Sequence, residues 1–441
     1  MTRKMKSSGI EWIGDIPEEW EVIKLKYISC FYNGFSFDSN NLVTDYIYPV
    51  IRIGDIKGDD VNFNSSLGVK DDFGLSSYLI KDNDILLAMS GATVGKVGFV
   101  EKSIKSYINQ RVGIIRTSLP HFVFYNLLTK NFMEYINIRA EGSAQPNISS
   151  KMIENFSIAY PKKDLIFEIT NRIKNKIRIV NDTVKLINNQ IENLENYKKS
   201  VITEAVTKGL DKNVEMKDSG IEWIGETPKH WKVIRIKNAA LLKARIGWQG
   251  LRSDEFLTDS GLPYLVTGTD FNNGYVDWDN CVRISEKRFE MDKNIQIKEN
   301  DLLITKDGTI GKLAIARNCP NKASLNSGVF VMRNQGPYKY MDKYMYYLLQ
   351  SEQFYLWFEL NDAGNSTIRH LYQKGFYNFS FTYPELKEQE KIVSYLDKKT
   401  KLIDDSTSLK RKQLETLEEY KKSLIYEYVT GKKEVTDGEG I

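Results

Sequence analysis

SGIEWIG stands at Ser8–Gly14 and again at Ser219–Gly225, 211 residues later. Widening the comparison to Lys6–Lys26 against Lys217–Lys237 leaves thirteen of twenty-one positions identical, among them Trp12/Trp223, Pro17/Pro228 and Trp20/Trp231. A second stretch repeats at an offset of 223. Tyr160-Pro161 matches Tyr383-Pro384, and Gln190–Thr207 matches Gln413–Thr430 at twelve of eighteen positions, including YKKS at Tyr197–Ser200 and Tyr420–Ser423. A period near half the chain length means one folded unit used twice. The ends of the unit are alike and its middles have diverged, the form of a fixed frame carrying two different readers.

The frame ends in a helical pattern. No proline occurs between Pro161 and Pro228. Heptads numbered on the apolar residues place Ile166, Ile173, Val180, Ile187, Leu194 and Val201 at d, and Thr170, Ile177, Val184, Ile191 and Lys198 at a. A 3-4 spacing kept for about five heptads predicts a coiled coil. The second copy has Leu396, Ile403, Leu417 and Leu424 at d and Val393 and Leu414 at a, with Thr400, Thr407 and Lys410 interrupting. A seam that is polar at mid-length suits pairing with one particular helix in one register. Each arm spans roughly 65–70 Å for about 45 residues at 1.5 Å per residue. Two such arms in one chain pair most simply with each other, and the repeat order favours an antiparallel pair. Packing of an arm on a partner's helices is compatible with this, since a two-helix seam leaves outer faces free.

The middles, 27–155 and 238–378, read as β-rich. YPVIRIG (Tyr48–Gly54), NDILLAMSG (Asn83–Gly91), VGIIRT (Val112–Thr117) and SGVFVMR (Ser327–Arg333) are rich in β-branched residues and bounded by Gly, Asp or Asn. IKDNDILL at Ile80–Leu87 aligns with IKENDLLI at Ile297–Ile304, so the two middles share a fold. Helical stretches from Pro120 and from Tyr340 interrupt them, which makes the class α+β. The tail GKKEVTDGEGI (Gly431–Ile441) leads into MTRKMKSSGIEWIG as VTKGLDKNVEMKDSGIEWIG runs through the middle from Val206. The chain therefore reads as a near-cyclic double repeat with approximate two-fold symmetry. The expected segments are a first β-rich domain at 1–155, a helical arm at 156–212, a second domain at 213–380, a second arm at 381–430 and a tail at 431–441.

Composition bounds the function. Apolar content of 41% and charged content of 27% are those of a soluble globular protein. Cys30, Cys281 and Cys319 are isolated, so neither a disulfide framework nor a Cys-x-x-Cys metal site is available, and a reducing cytoplasm is expected. No apolar run reaches the length of a membrane span, and MTRKMKSSG has no apolar leader core. A net charge of +4 permits nucleic-acid binding without demanding it.

The motifs favour recognition over catalysis. SGATVGK (Ser90–Lys96) and DGTIGK (Asp307–Lys312) lack the glycine spacing and following Ser/Thr of a phosphate loop, and read as tight turns between strands. Lys96 and Lys312 at their tips are candidates for backbone-phosphate contact or are simply solvated. His121, His230 and His370 occupy no equivalent positions and have no metal-ligand spacing. Asp84 and Asp301, equivalent and each following Asn, read as turn caps and not as a carboxylate dyad. Neither an amino-methyltransferase motif nor a nucleotide-cofactor loop is present, so the chain is read as non-catalytic, with no metal. Polar loops remain as candidates, because Asn, Gln, Arg and Ser pair with base edges. The first middle supplies Ser36, Asn40, Asn41, Asn109, Gln110, Arg111, Ser143, Gln145 and Asn147. The second supplies Arg245, Gln249, Arg252, Asn326, Ser327, Asn365, Ser366, Arg369 and His370. Each loop alone is compatible with plain solvation; their corresponding places in both middles are the stronger signal.

Taken together, the SGIEWIG…P…W repeats, the NDILL and NDLLI strands, GSAQPNIS (Gly142–Ser149) and KEQEKIVSYLD (Lys387–Asp397) resemble the specificity subunit of a type I DNA restriction–modification system over nearly the whole chain. The resemblance implies two target-recognition domains, each reading half of a split DNA site, held apart by an antiparallel pair of helices. It also implies two methyltransferase subunits on this frame and restriction/translocase subunits in the full enzyme, with S-adenosylmethionine and ATP on those partners and no cofactor here. The first arm departs from the pattern, with DLIFEIT (Asp164–Thr170) where the second has KEQEKIV (Lys387–Val393), and GNSTIRHL (Gly364–Leu371) matches GSAQPNIS only loosely. Other readings are a coiled-coil adaptor with two β-rich protein-binding domains and no DNA, and a methyltransferase with an unrecognised motif. Salt-dependent, sequence-selective DNA binding separates the first, and binding of S-adenosylmethionine by the isolated chain the second.

Overall fold

The structure, a computed structural model, describes residues 3–70, 72, 74–91, 93–140, 147–246, 250–361 and 369–435. Contacts divide the chain into two units, Met1–Ile187 with Arg411–Ile441, and Asn188–Lys410. Each unit takes one segment from each arm.

In the first unit, six strands lie in the order Ser29–Asn33, Val112–Thr117, Ile85–Ala88, Val97–Phe99, Asp60–Val61 and Ile56–Lys57. The second unit repeats that order with Ala240–Lys243, Val329–Asn334, Leu302–Thr305, Leu313–Ile315, Tyr275–Val276 and Phe271–Asn272. Each unit adds a three-stranded sheet centred on Tyr48–Ile51 or Tyr264–Val266. ILLA and the LLI of LLIT are unbroken apolar runs because their strands are buried on both faces. Ile85, Leu87 and Met89 join the core shared with the arm segments, while Leu86 and Ala88 join the core on the other face, as the period of two requires. The expected helical stretches form Pro120–Leu127 with Lys130–Ala140, and Asp342–Leu348 with Glu352–Asn361.

The arms are single helices, Lys163–Lys208 and Leu386–Val429. Each starts just after the proline of Tyr-Pro and ends before a glycine in the left-handed region, Gly209 (φ 76°) and Gly431 (φ 72°). Ile173, Val180, Ile187, Ile191, Leu396, Ile403 and Leu424 are buried along the seam, and Ile177, Val184, Leu194, Leu414 and Leu417 are half-buried. The segments run antiparallel within each unit. In the first, Ile166, Ile169 and Ile173 share a core with Leu424, Ile425, Tyr428 and Val429. In the second, Val201, Ile202, Ala205 and Val206 share one with Ile392, Val393 and Leu396. The polar mid-seam residues are partnered there: Lys410 Nζ donates to Gln190 Oε1 (2.6 Å), and Lys198 Nζ reaches Asp404 (2.7 and 2.8 Å).

Asp84 and Asp301 are the turn caps that the sequence indicates. Their carboxylates accept from Lys81 N–H and Lys298 N–H (both 2.7 Å), and the preceding Asn83 and Asn300 are left-handed at φ 66° and 70°. Both are buried, and each is paired as well with an arginine, Arg116 or Arg333. These ion pairs tie the turn to the adjacent strand in both units.

Candidate nucleic-acid interface

In the first unit the central strand Ile85–Ala88 runs out at Met89, where main-chain bonds gather the loops. Met89 N–H donates to Arg111 O and Ile148 N–H donates to Met89 O (both 2.8 Å), and Ser90 bridges to Asn147. Asn109 N–H donates to Ile51 O (2.9 Å) and Phe35 N–H to Ile108 O (3.1 Å), which draws in the loop of Ser36, Asn40 and Asn41. Gly34 is obligatory at this approach, since a Cβ there lies 2.0 Å from the Asn109 carbonyl oxygen. Asp38 accepts from Asn40 N–H (2.9 Å) and fixes the short turn Ser39–Asn41. Ser36, Asn40, Asn41, Lys96, Gln110, Arg111 and Asn147 are exposed around this strand end. Asn109 is half-buried, its Oδ1 accepting from Arg111 N–H (3.3 Å).

The second unit repeats three of these main-chain bonds. Lys306 N–H donates to Gly328 O, Leu371 N–H to Lys306 O, and Asn326 N–H to Val266 O, each at 2.9 Å. The side chains it presents differ. Ser90 is replaced by Asp307, Arg111 by Gly328, and Asn147 by His370. His370 Nδ1 stands 2.7 Å from Asp307 Oδ1, and Lys306 Nζ stands 3.0 Å from Asp307 Oδ2. Burial opposes ionisation of Asp307, but the bonds from His370 and Lys306 outweigh it and hold this carboxyl below its ordinary range. Asn326 and Ser327 are half-buried, with Ser327 N–H donating to Asn326 Oδ1 (2.7 Å). Lys312 is exposed on the hairpin turn, as Lys96 is in the first unit.

The remaining candidates fall in different places. Arg369 is exposed and paired with both carboxylate oxygens of Glu359 (2.8 Å each). Arg252 is exposed beside Glu255, whose carboxyl is held down at about 2 by the Arg288 guanidinium. Arg245 departs from expectation. It is buried, with Nε donating to Leu325 O (2.9 Å) and Nη2 to Ser324 Oγ (3.0 Å), so its guanidinium braces the framework and is not offered to a groove. Ser143, Gln145, Gln249, Asn365 and Ser366 lie outside the described residues. The pattern reading passed over Ser90, Lys306 and Asp307 as site residues. Their signal was positional: Ser90 and Asp307 both precede the first glycine of the turn, at one offset of 217 residues (307 − 90).

The turns themselves are hairpin connections. Gly95 N–H donates to Ala88 O (2.9 Å) and Gly311 N–H to Thr305 O (3.0 Å), with Gly91, Gly95, Gly308 and Gly311 all left-handed. Each histidine has its own surroundings: His121 packs on Phe99, His230 bonds Glu388, and His370 bonds Asp307. Among the described residues no helix is long and apolar enough to cross a membrane.

Two copies of one fold, each presenting its own polar set from the same strand end, define a paired recognition protein. The family model described as "Type I restriction modification DNA specificity domain" matches residues 17–195 and 228–419, and the chain belongs to that family. It is similar to the putative type I restriction enzyme MjaX specificity subunit of Methanocaldococcus jannaschii, 27% identical over 95% of each chain. It is also similar to the type I restriction enzyme EcoBI specificity subunit of Escherichia coli, 22% identical over 89% of this chain and 81% of that one. A solved chain from work on complex assembly and conformational transition of the type I R-M system shares its fold with a TM-score of 0.70, at 14% identity over 95% of this chain and 99% of that one.

Proposed function

We propose that each unit reads one half of a bipartite double-stranded DNA target, that the arms set the spacer, and that they dock two methyltransferase subunits. The observation that carries this reading is the pair of equivalent strand ends, where three equivalent main-chain bonds gather Gln110, Arg111 and Asn147 in one unit and Asp307, Ser327, Gly328 and His370 in the other. A fixed backbone with exchanged side chains is what reading two different base sequences in the same way requires. Ser36, Asn40, Asn41 and Lys96 extend the first reader, and Arg252, Lys312, Asn326 and Arg369 the second. The chain is the non-catalytic subunit; S-adenosylmethionine and ATP belong to the methyltransferase and restriction/translocase partners, and the complex works in the cytoplasm. With a net charge of +4, the chain alone binds DNA weakly, and the partners complete the phosphate contacts.

The test is a reader swap. Residues 27–155 are replaced by the equivalent part of a relative, and methylated sites are mapped across a genome. One half-site changes and the other stays. Loss of specificity at both halves counts against modular reading, and no sequence-selective DNA binding at all favours the protein-binding adaptor.

A further inference from the structure

The strand ends of the two units offer opposite chemistry from the same places. In the first, Ser90 opens the turn and Arg111, exposed on the adjoining strand end, brings a guanidinium that only donates. In the second, Asp307 opens the turn and Gly328 stands at the place of Arg111, so the group on offer is a carboxylate. A Cβ on Gly328 comes 3.8 Å from Asp307 Cβ and 3.9 Å from Oδ2, so a side chain there packs against the carboxylate and glycine leaves that side open. The next turn residue is uncrowded too, since a Cβ on Gly308 meets nothing within 4 Å.

Asp307 is not a turn cap in the manner of Asp84 and Asp301. Those carboxylates accept from the main-chain N–H groups of Lys81 and Lys298. Among the described residues Asp307 takes only side-chain bonds, from His370 Nδ1 at Oδ1 and from Lys306 Nζ at Oδ2. Burial opposes its ionisation, but these bonds keep the carboxyl below its ordinary range, ionised at neutral pH. An ionised carboxylate accepts only, so His370 Nδ1 carries a proton and donates it. The Leu371 N–H bond to Lys306 O (2.9 Å) ties the two bracing segments together. Each carboxylate oxygen thus has one bond within the protein and room to accept another, on a side chain 34% exposed. The Lys306 ammonium offsets the repulsion between a carboxylate and DNA phosphates.

The donors on major-groove base edges are the amino groups of cytosine (N4) and adenine (N6). Guanine and thymine present acceptors there, which a carboxylate repels. We infer that Asp307 determines specificity in the second reader: its carboxylate accepts from the exocyclic amino group of one cytosine or adenine, with His370 as a positioning residue. This rests on the reading that the second unit reads half of a DNA target, and adds the class of base that its centre demands.

The second half-site is the one that replacing 27–155 leaves unchanged. Duplexes are made in which, one position at a time, a cytosine of that half-site is replaced by pyrimidin-2-one or an adenine by purine. Each analogue lacks only the amino group. Binding is measured for the full chain in complex with the methyltransferase subunit of the same system, and for the same complex carrying Asp307→Ser. Serine is the residue this turn carries in the first unit, and circular dichroism verifies the fold. At one position the deletion is expected to weaken the parental complex about tenfold or more, and to leave the Asp307→Ser complex unaffected. The analogue that does so tells cytosine from adenine. His370→Ala shrinks that same penalty and no other; an unchanged penalty removes its positioning role. If every deletion costs the Asp307→Ser complex as much as the parental one, or none weakens the parental complex, the inference is overturned and half-site reading stands. A parental complex that binds its mapped target no better than scrambled DNA overturns that reading and this inference with it.

Discussion

At the scale of single residues, the two copies part company around their shared tryptophans. Trp231 Nε1 donates to Glu388 Oε2 (2.9 Å), which also faces His230 Nε2 (3.0 Å). The position equivalent to Glu388 in the first arm is Leu165, and Trp20 Nε1 is buried there with no hydrogen-bond partner among the described residues, beneath the Arg3 guanidinium. Gln389 is likewise used only once, with Oε1 accepting from Met341 N–H and Nε2 donating to Pro384 O (both 2.9 Å). The Glu-Gln pair that stood out as a departure in sequence is thus a local bracing of the second unit. Glu388→Leu removes the acceptor from a buried indole N–H, and is expected to destabilise the protein by about 1–3 kcal/mol in urea unfolding. An unchanged midpoint means that the indole finds another partner, and the bracing role fails.

At the scale of elements, the arms were legible because helical periodicity is a local property repeated over many turns. The antiparallel register was not, since it depends on which polar seam residues meet; Lys410 with Gln190 decides it. The register also locates where the arms can be lengthened together, at Ile187/Asn188 and Lys410/Arg411, where each passes from one unit to the other. Four residues added at both places lengthen each helix by about 6 Å and turn it slightly past one full turn, so the seam continues with a small stutter. DNA advances about 3.4 Å per base pair. The methylated target of this variant should keep both half-sites and gain nearly two base pairs of spacer. Methylation at the original spacing with parental efficiency would falsify the ruler.

At the scale of the whole chain, both repeats close in the same way. Gly209, at the end of the first arm, packs against Trp231, and Gly431, at the end of the second, packs against Trp20 and Pro17, with Lys432 Nζ reaching Ile13 O (3.3 Å). A Cβ on Gly431 meets Pro17 at 2.5 Å, so the close approach requires glycine. Exchangeable readers require equivalent junctions of this kind. A chain with 27–155 and 238–378 interchanged is expected to methylate the same bipartite target, because each reader then meets the arms through a junction equivalent to its own. Methylome sequencing gives the answer directly; a different bipartite target from the exchanged chain rules out equivalent junctions.

The duplication, the two arms and their heptads, the β-rich middles and the Asp84/Asp301 turns all rest on short-range patterns, and short-range patterns survive in one dimension. The sequence determined these by itself. Which polar residues stand together at the strand ends was decided only in three dimensions. Ser90 meets Asn147, and Asp307 meets His370, across more than fifty residues of chain. Arg245 shows the converse: its residue type and its loop mark it for DNA, yet folding buries it against Ser324 and Leu325. A residue type states what a side chain is able to bond, whereas exposure and partners are properties of the packed chain, set by contacts between segments that the sequence leaves far apart.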